Sequence, residues 1–216
     1  ENIAPQTGLP LFNNEMLKSA EMINLFTQSD AFSVCLDLFG GQNIDDVVIK
    51  NERSQIALRF PENPDSIPMD KQLYKEDVQN WHVDGFQNKS LPQFNVLCGI
   101  ALSKQQIPFA GQFTYWPSTH YEIQKILIKD GYDKFWENNH RPRMRFLWDK
   151  IEYTQCDVDI GDVILCHPFL CHKGGINYSM DTRYNMYYRI QHRDFHKMSD
   201  QQRIENLWIG LDGLSE

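Results

Sequence analysis

Residues 161–177 read GDVILCHPFLCHKGGIN, a short apolar run followed by a proline, a histidine and two adjacent glycines. The run VILC at 163–166 is typical of a β-strand. The two glycines predict a turn in which backbone and ligands can approach closely. A second strand pattern, RYNMYYRI at 183–190, follows shortly after. This part of the chain therefore predicts a β fold that delivers His172 at a turn.

Four further apolar runs extend the strand pattern toward the N-terminus. They are VVI at 47–49, IALRF at 56–60, FNVLCGIAL at 94–102 and GQFTYW at 111–116. β-Branched and aromatic residues favour strands, and the segments between the runs are rich in Pro, Asn, Asp and Gly, which form turns. We therefore expect a mainly β fold with flanking helices, and a double-sheet barrel is the natural architecture.

Helical periodicity occurs in two other places. Between Asn14 and about Phe39 apolar residues recur among polar ones, and Gly40-Gly41 provides a stop. The segment from Ser118 to about Asn139 predicts one or two further helices. With 216 residues, of which 41% are hydrophobic, the chain can bury one sizeable core. We expect a single domain over 1–216, with a helical part at about 14–40 and a β core at about 46–190.

The composition excludes several classes of partner. A net charge of -8 and a sequence pI of about 5.3 disfavour nucleic acid and anionic membranes. No apolar stretch approaches the roughly 20 residues that span a bilayer, and the N-terminal segment lacks a signal-peptide pattern. The five cysteines are scattered and include no C-x-x-C pair, so a reducing compartment is expected. We expect an intracellular, cytoplasmic protein, and the first residue, Glu1, suggests a segment of a longer chain.

The chemistry-bearing motif is WHVDGF at 81–86. His82 and Asp84 stand two positions apart, so in an extended segment both side chains leave the same face. One imidazole and one carboxylate suit a divalent transition metal, and a second histidine would complete the facial triad of non-haem iron(II) oxygenases. His172 is the best candidate because it follows an apolar strand at a glycine turn. The competing histidines are His120, His140, His167, His192 and His196.

Arg183 begins the last strong strand, eleven positions after His172. The co-substrate 2-oxoglutarate carries a distal carboxylate that must be anchored while its keto acid end chelates iron. The planar fork of arginine binds a carboxylate through two parallel hydrogen bonds. The spacing therefore predicts an iron(II) site formed by His82, Asp84 and His172, with Arg183 binding 2-oxoglutarate.

These motifs, together with PSTH at 117–120, resemble the phytanoyl-CoA dioxygenase-like family of Fe(II)/2-oxoglutarate-dependent oxygenases. The similarity runs from about residue 77 to residue 190, about half of the chain. It implies a double-stranded β-helix, or jelly-roll, fold of the cupin-like kind. It also implies that His82, Asp84 and His172 are the catalytic metal ligands and that Arg183 binds the co-substrate.

The resemblance further implies a dioxygenase that hydroxylates an aliphatic C–H bond of a small-molecule substrate and releases succinate and CO2. Ascorbate is the candidate reductant. The carboxylate of Asp84 disfavours the halogenating variant, in which a halide replaces that ligand. Two positions depart from the family pattern: Ser118 replaces a glycine, and a tryptophan common on the strand after the metal motif is replaced near Gly99.

Several alternatives stay open. The chain could be a non-catalytic relative that acts as a binding or interaction module, or a cupin-type metalloprotein in which Arg183 is structural. His120 is expected to be structural. The basic cluster RPRMR at 141–145 is either a solvated stretch or a contact for an anionic substrate. Four aromatic residues are either core or a substrate wall: Trp81, Phe86, Tyr115 and Trp116.

Overall fold

A computed structural model describes residues 14–41, 43–62, 81–84, 90–137 and 152–214. Its helices are α1 Asn14–Leu17, α2 Ala20–Thr27, α3 Asp30–Leu38, α4 Thr119–Glu137 and α5 Asp200–Glu205. Short 3-10 turns occupy Ile44–Asp46, Phe195–Lys197 and Asp212–Leu214. Within this described part of the chain, none of the helices has the length and apolar character needed to cross a membrane.

Within the described ranges, seven strands form two sheets. They are β1 Val47–Arg59, β2 Val96–Ala101, β3 Phe113–Tyr115, β4 Thr154–Gln155, β5 Val163–Cys166, β6 His172–Gly174 and β7 Arg183–His192. The larger sheet has the order β1-β7-β2-β5 and the smaller one β4-β3-β6. Neighbouring strands pair antiparallel throughout. The expectation of a mainly β fold with flanking helices is confirmed.

The larger sheet has two faces of different character, because successive side chains of a strand point to opposite sides. We call one the helix face, which is apolar and packs on the N-terminal helices. It consists of Val96, Cys98, Ile100, Met186, Tyr188 and Ile190. We call the other the inner face, which looks toward the smaller sheet. It consists of Gln55, Ala57, Arg59, Leu97, Gly99, Arg183, Asn185, Tyr187 and Arg189.

Helices α2 and α3 cover the helix face. Phe26 is fully buried and stacks on the ring of Tyr188 with centroids 5.0 Å apart, while the Tyr188 hydroxyl donates to the carbonyl of Met22 at 2.6 Å. Ser19 caps α2 by accepting from the Met22 amide, and Gly40, with φ of 85°, lies just beyond the end of α3. The predicted helical part and its glycine stop therefore occur where the sequence placed them.

Three local features differ from expectation. The runs at 47–49 and 56–60 belong to one strand, β1, whose register shifts between Ile49 and Ser54, where Asn51 and Glu52 have positive φ. The intervening residues are polar, so apolar runs alone missed the bulge. Residues His172–Gly174 form strand β6, where the glycines predicted a turn. Helix α4, by contrast, agrees with the one or two helices expected, with a break at Gly131. Helix α5 was not predicted, although Ser199 and Gln202 form a capping box at its start.

Candidate metal and co-substrate site

The short segment 81–84 lies against strand β6. His82 and His172 exchange two backbone hydrogen bonds, with N to O distances of 3.0 Å and 2.9 Å. Directly before His82, the Trp81 ring is buried and stacks on Trp116, with centroids 4.0 Å apart and planes within 5°. This pairing places two histidines on facing backbones, so residues distant in sequence meet at one point.

His82, Asp84 and His172 form a cluster in which one ligand atom from each residue lies within 4.8 Å of the others. The His82 Nε2 to Asp84 Oδ1 distance is 3.5 Å, and the two imidazole centroids are 4.5 Å apart. Two imidazoles and one carboxylate are the donor types that divalent transition metals, including iron(II), accept. The donor set therefore fits the metal that the sequence predicts.

The environment of His172 favours a neutral imidazole. Its Nδ1 lies 2.8 Å from the carbonyl oxygen of Leu170, which can only accept a hydrogen bond. Nδ1 therefore carries the proton and Nε2 keeps its lone pair. Burial, together with the charge of His82, lowers the pKa of His172 to about 4. The Phe113 ring stacks on the imidazole at 4.8 Å and holds its orientation.

Asp84 has one oxygen toward His82 and the other toward Arg189. The Arg189 Nη2 to Asp84 Oδ2 distance is 3.1 Å, and Arg189 Nη1 donates to Gln55 Oε1 at 2.8 Å. Burial alone would raise the pKa of Asp84, but the hydrogen bond from His82 and the charges of His172 and Arg189 outweigh it and hold that pKa well below its usual range. Asp84 is therefore an ionised acceptor with Oδ2 already engaged.

Arg183 is buried, with 2% of its surface exposed. Its Nε donates to the carbonyl of Gly111 at 2.7 Å and its Nη1 to the carbonyl of Ala57 at 2.9 Å, which use two of its five N–H donors. Burial lowers its pKa to about 10, and the nearby charge of Arg59 adds to the decrease. Across the ranges that the structure describes, no carboxylate pairs with Arg183.

One open cavity of about 440 Å³ joins the histidine-aspartate cluster to Arg183. The four residues singled out from the sequence all line it. Eight others were missed: Gln55, Ala57, Arg59, Leu97, Phe113, Gly174, Tyr187 and Arg189. The period-2 spacing of Arg183, Tyr187 and Arg189 was the available signal, because a strand beginning with a site residue places every second side chain on the same face.

The four competing histidines that the structure describes lie outside the cluster. The ring of His167 bridges the Phe169 amide and the carbonyl of Leu207, both at 3.0 Å, and burial lowers its pKa to about 3. His120 packs among aromatic rings, His192 faces Asp46, and His196 lies on the surface near the carbonyl of Arg193. Trp116 belongs to the core. Three sequence features fall outside the described residues: His140, Phe86 and the basic cluster at 141–145.

No family model and no curated protein matches the chain. Among solved structures, it superposes on the non-haem α-ketoglutarate-dependent epimerase SnoN from nogalamycin biosynthesis with a TM-score of 0.51 and 16% identity, covering 83% of this chain and 59% of SnoN. EvdMO1 gives a TM-score of 0.53 and 20% identity, covering 88% of this chain and 38% of EvdMO1. The nickel complex of the non-haem monooxygenase ThoJ gives a TM-score of 0.50 and 12% identity, covering 83% of this chain and 57% of ThoJ.

The chain thus spans between 38% and 59% of the length of these three proteins. Sequence identities of 12–20% leave the similarity at the level of backbone architecture. Two of the three are described as non-haem enzymes, and one as dependent on α-ketoglutarate. The chain therefore shares its fold with this group of proteins.

Proposed function

We propose that this chain is an Fe(II)- and 2-oxoglutarate-dependent dioxygenase with a jelly-roll core, of the phytanoyl-CoA dioxygenase-like kind that its motifs resemble. The observation that carries the proposal is one cavity that joins a His-Asp-His cluster to Arg183, a buried cation with no carboxylate partner in the described residues. SnoN, which shares the fold, has been solved with Fe3+ and α-ketoglutarate, which supports the same two ligands here.

In this proposal His82, Asp84 and His172 hold the metal. The hydrogen bond from Arg189 to Asp84 Oδ2 leaves Oδ1 as the donor oxygen, and the bond from His172 to Leu170 leaves Nε2. Three protein donors on one side leave the other coordination positions open to exchangeable ligands. When bound, iron(II) with 2-oxoglutarate supplies the electrons that activate dioxygen, with succinate and CO2 released.

Arg183 binds the distal carboxylate of 2-oxoglutarate and so orients its keto acid end toward the metal ligands. Its bonds to Gly111 and Ala57 fix the guanidinium before any ligand arrives, so little side-chain freedom is lost on binding. Phe113 and Leu97 give the cavity an apolar wall, and a less polar surrounding strengthens the pairing of charges.

The expected reaction is hydroxylation of an aliphatic C–H bond in a small molecule. This part of the proposal comes from the motif resemblance. The proteins of the same fold include an epimerase and a monooxygenase, and one fold can serve many chemistries. The prime substrate would be sought as a metabolite that gains one oxygen atom only when 2-oxoglutarate is supplied.

The decisive experiment measures succinate formed from 2-oxoglutarate with Fe(II), ascorbate and no prime substrate. We expect slow succinate formation by the natural chain and none by His172→Ala, because that change removes a metal donor. A second readout is the visible charge-transfer absorption that appears when 2-oxoglutarate chelates Fe(II) under anaerobic conditions.

The two readouts separate the candidate functions. Absorption without turnover, in the presence of candidate substrates, would favour a non-catalytic binding module. Metal binding without any 2-oxoglutarate binding would favour a cupin-type metalloprotein. If a direct titration showed that the chain binds no divalent transition metal, that result would contradict the metal assignment itself.

A further inference from the structure

A buried relay of hydrogen bonds runs along the inner face to Tyr187. Gln105, Asn185 and Tyr187 are 0%, 1% and 8% exposed. Gln105 Nε2 donates to Asn185 Oδ1 at 2.8 Å, and Asn185 Nδ2 donates to the hydroxyl oxygen of Tyr187 at 3.0 Å. The relay therefore connects the loop after β2 to the cavity that contains Arg183.

The direction of these hydrogen bonds is set at the far end of the relay. Gln105 Nε2 also donates to the backbone carbonyl of Ser103 at 3.1 Å, and a carbonyl can only accept. Turning the Gln105 amide would place oxygen against oxygen, and turning the Asn185 amide would place NH2 against NH2. Gln105 Oε1 is buried without a partner, so the opposite orientation would gain no bond in compensation.

This direction makes the Tyr187 oxygen an acceptor from Asn185, so its own O–H hydrogen must point elsewhere. Over the described ranges, no protein acceptor receives that hydrogen. Tyr187 lines the cavity, and a buried hydroxyl donor without an acceptor is costly. The O–H hydrogen is thus not used by the described part of the protein, and Tyr187 is itself a residue of the cavity wall.

The Tyr187 hydroxyl is displaced along β7 toward Arg183, because it contacts the side chain of Asn185. Asn185 stands between Arg183 and Tyr187 on the inner face of β7, and the Tyr187 side chain leans back to it. Burial raises the pKa of Tyr187 and the charge of Arg183 opposes that rise, so the two groups are close enough to interact electrostatically. The ring is held in place by Gly99, where an added Cβ would come within 2.6 Å of it.

We propose that the Tyr187 hydroxyl is a second donor to the distal carboxylate of the co-substrate, beside Arg183, and that Asn185 positions it. This inference rests on the proposed function. A carboxylate has two oxygens and about four lone-pair sites, so it can accept from a guanidinium and a phenol together. The neutral donor adds direction and affinity without adding charge.

The test compares binding of two keto acids to the chain loaded with Mn(II) in place of iron: 2-oxoglutarate, and 2-oxobutyrate, which lacks the distal carboxylate. We expect Tyr187→Phe to raise the Kd of 2-oxoglutarate about tenfold, the loss of one hydrogen bond to a charged group. The Kd of 2-oxobutyrate and of Mn(II) should not change. Tyr188→Phe is the matched control, because its hydroxyl contacts Met22 on the helix face, and it should change no Kd.

The role of Asn185 has its own readout. Asn185→Ala should raise the Kd of 2-oxoglutarate in the natural chain but not in the Tyr187→Phe background, because its effect passes through the hydroxyl. An additive loss in the double variant would mean that Asn185 acts only on packing.

Two outcomes would overturn the inference about Tyr187. They are an unchanged Kd for 2-oxoglutarate in Tyr187→Phe, and an equal loss for both keto acids, which would indicate a distorted cavity. If the natural chain fails to bind 2-oxoglutarate, or if Arg183→Ala binds it equally well, the proposed function fails as well. If Arg183→Ala loses 2-oxoglutarate binding and Tyr187→Phe does not, the inference about Tyr187 fails while the proposed function stands.

Discussion

Even-numbered and odd-numbered residues of strand β7 lie in different surroundings. Met186, Tyr188 and Ile190 are at most 2% exposed and pack under α2 and α3. Arg183 and Arg189, on the other side, line the cavity with the histidine-aspartate cluster. One strand therefore carries an apolar surface and a charged surface, separated only by the alternation of its side chains.

The two faces also satisfy their polar groups differently. On the helix face the hydroxyl of Tyr188 is paired with the carbonyl of Met22. On the inner face, the remaining N–H donors of Arg183 and the O–H of Tyr187 have no protein acceptor among the described residues. A face with every polar group paired stabilises the fold, whereas available buried donors indicate a ligand. Substitutions on the two faces should therefore affect different measurements.

The largest expected effect is on the helix face. Ile190→Ala should lower the free energy of unfolding by about 3 kcal/mol, because it removes buried methyl groups and leaves a cavity. Denaturant unfolding would measure the loss, and the keto acid Kd should stay unchanged while the chain is folded. Ile128→Ala, the same change at a residue that is 59% exposed, is the control. A changed Kd in Ile190→Ala would show that the faces are coupled.

On the inner face, Arg183→Ala should raise the Kd of 2-oxoglutarate at least a hundredfold, because a buried carboxylate loses its charged partner. The affinity for Mn(II) should change little. Calorimetric titration with each ligand would measure both. Arg193→Ala is the control: this arginine pairs with Asp46 and is 48% exposed, so its removal should leave both affinities intact. An unchanged Kd in Arg183→Ala would remove that residue from the site.

His167 sharpens the comparison because it is a buried histidine outside the site. Its pKa is lowered to about 3, so the unfolded state takes up the proton more readily and stability falls as the pH drops below about 6.5. Titration of His167 alone should lower the free energy of unfolding by about 2 kcal/mol between pH 7 and pH 5. His167→Gln should flatten the pH dependence of unfolding and leave Mn(II) binding unchanged. Weaker Mn(II) binding would restore His167 as a rival ligand.

A smaller effect is expected at Arg189, which contacts Asp84 and Gln55. Arg189→Met should weaken Mn(II) binding about tenfold, because the Asp84 carboxylate loses the partner that fixes its orientation. Gln55→Leu, which removes only the support of Arg189, should have a weaker effect in the same direction. Tighter metal binding in Arg189→Met would show that charge repulsion from the guanidinium outweighs its orienting role.

Local pattern was sufficient for much of the fold. The apolar runs containing Val96, Val163 and Arg183 became strands, and the segment before Gly40 became helices, because periodicity and turn residues act over a few positions. The bulge in β1 and helix α5 were missed. A bulge depends on pairing with β7, which lies more than a hundred residues away, and α5 is too short to show a clear period.

The motif residues could be recognised in the sequence because their chemistry is local: a histidine two positions before an aspartate, a histidine close before two glycines, and an arginine opening a strand. Their assembly depended on tertiary structure. Three contacts join residues 80 or more positions apart: the His82–His172 backbone pairing, the Arg189–Asp84 ion pair and the Gln105–Asn185 hydrogen bond. The last step of the relay, from Asn185 to Tyr187, is local. Which donors are paired and which remain available to a ligand is decided only when distant strands come into register.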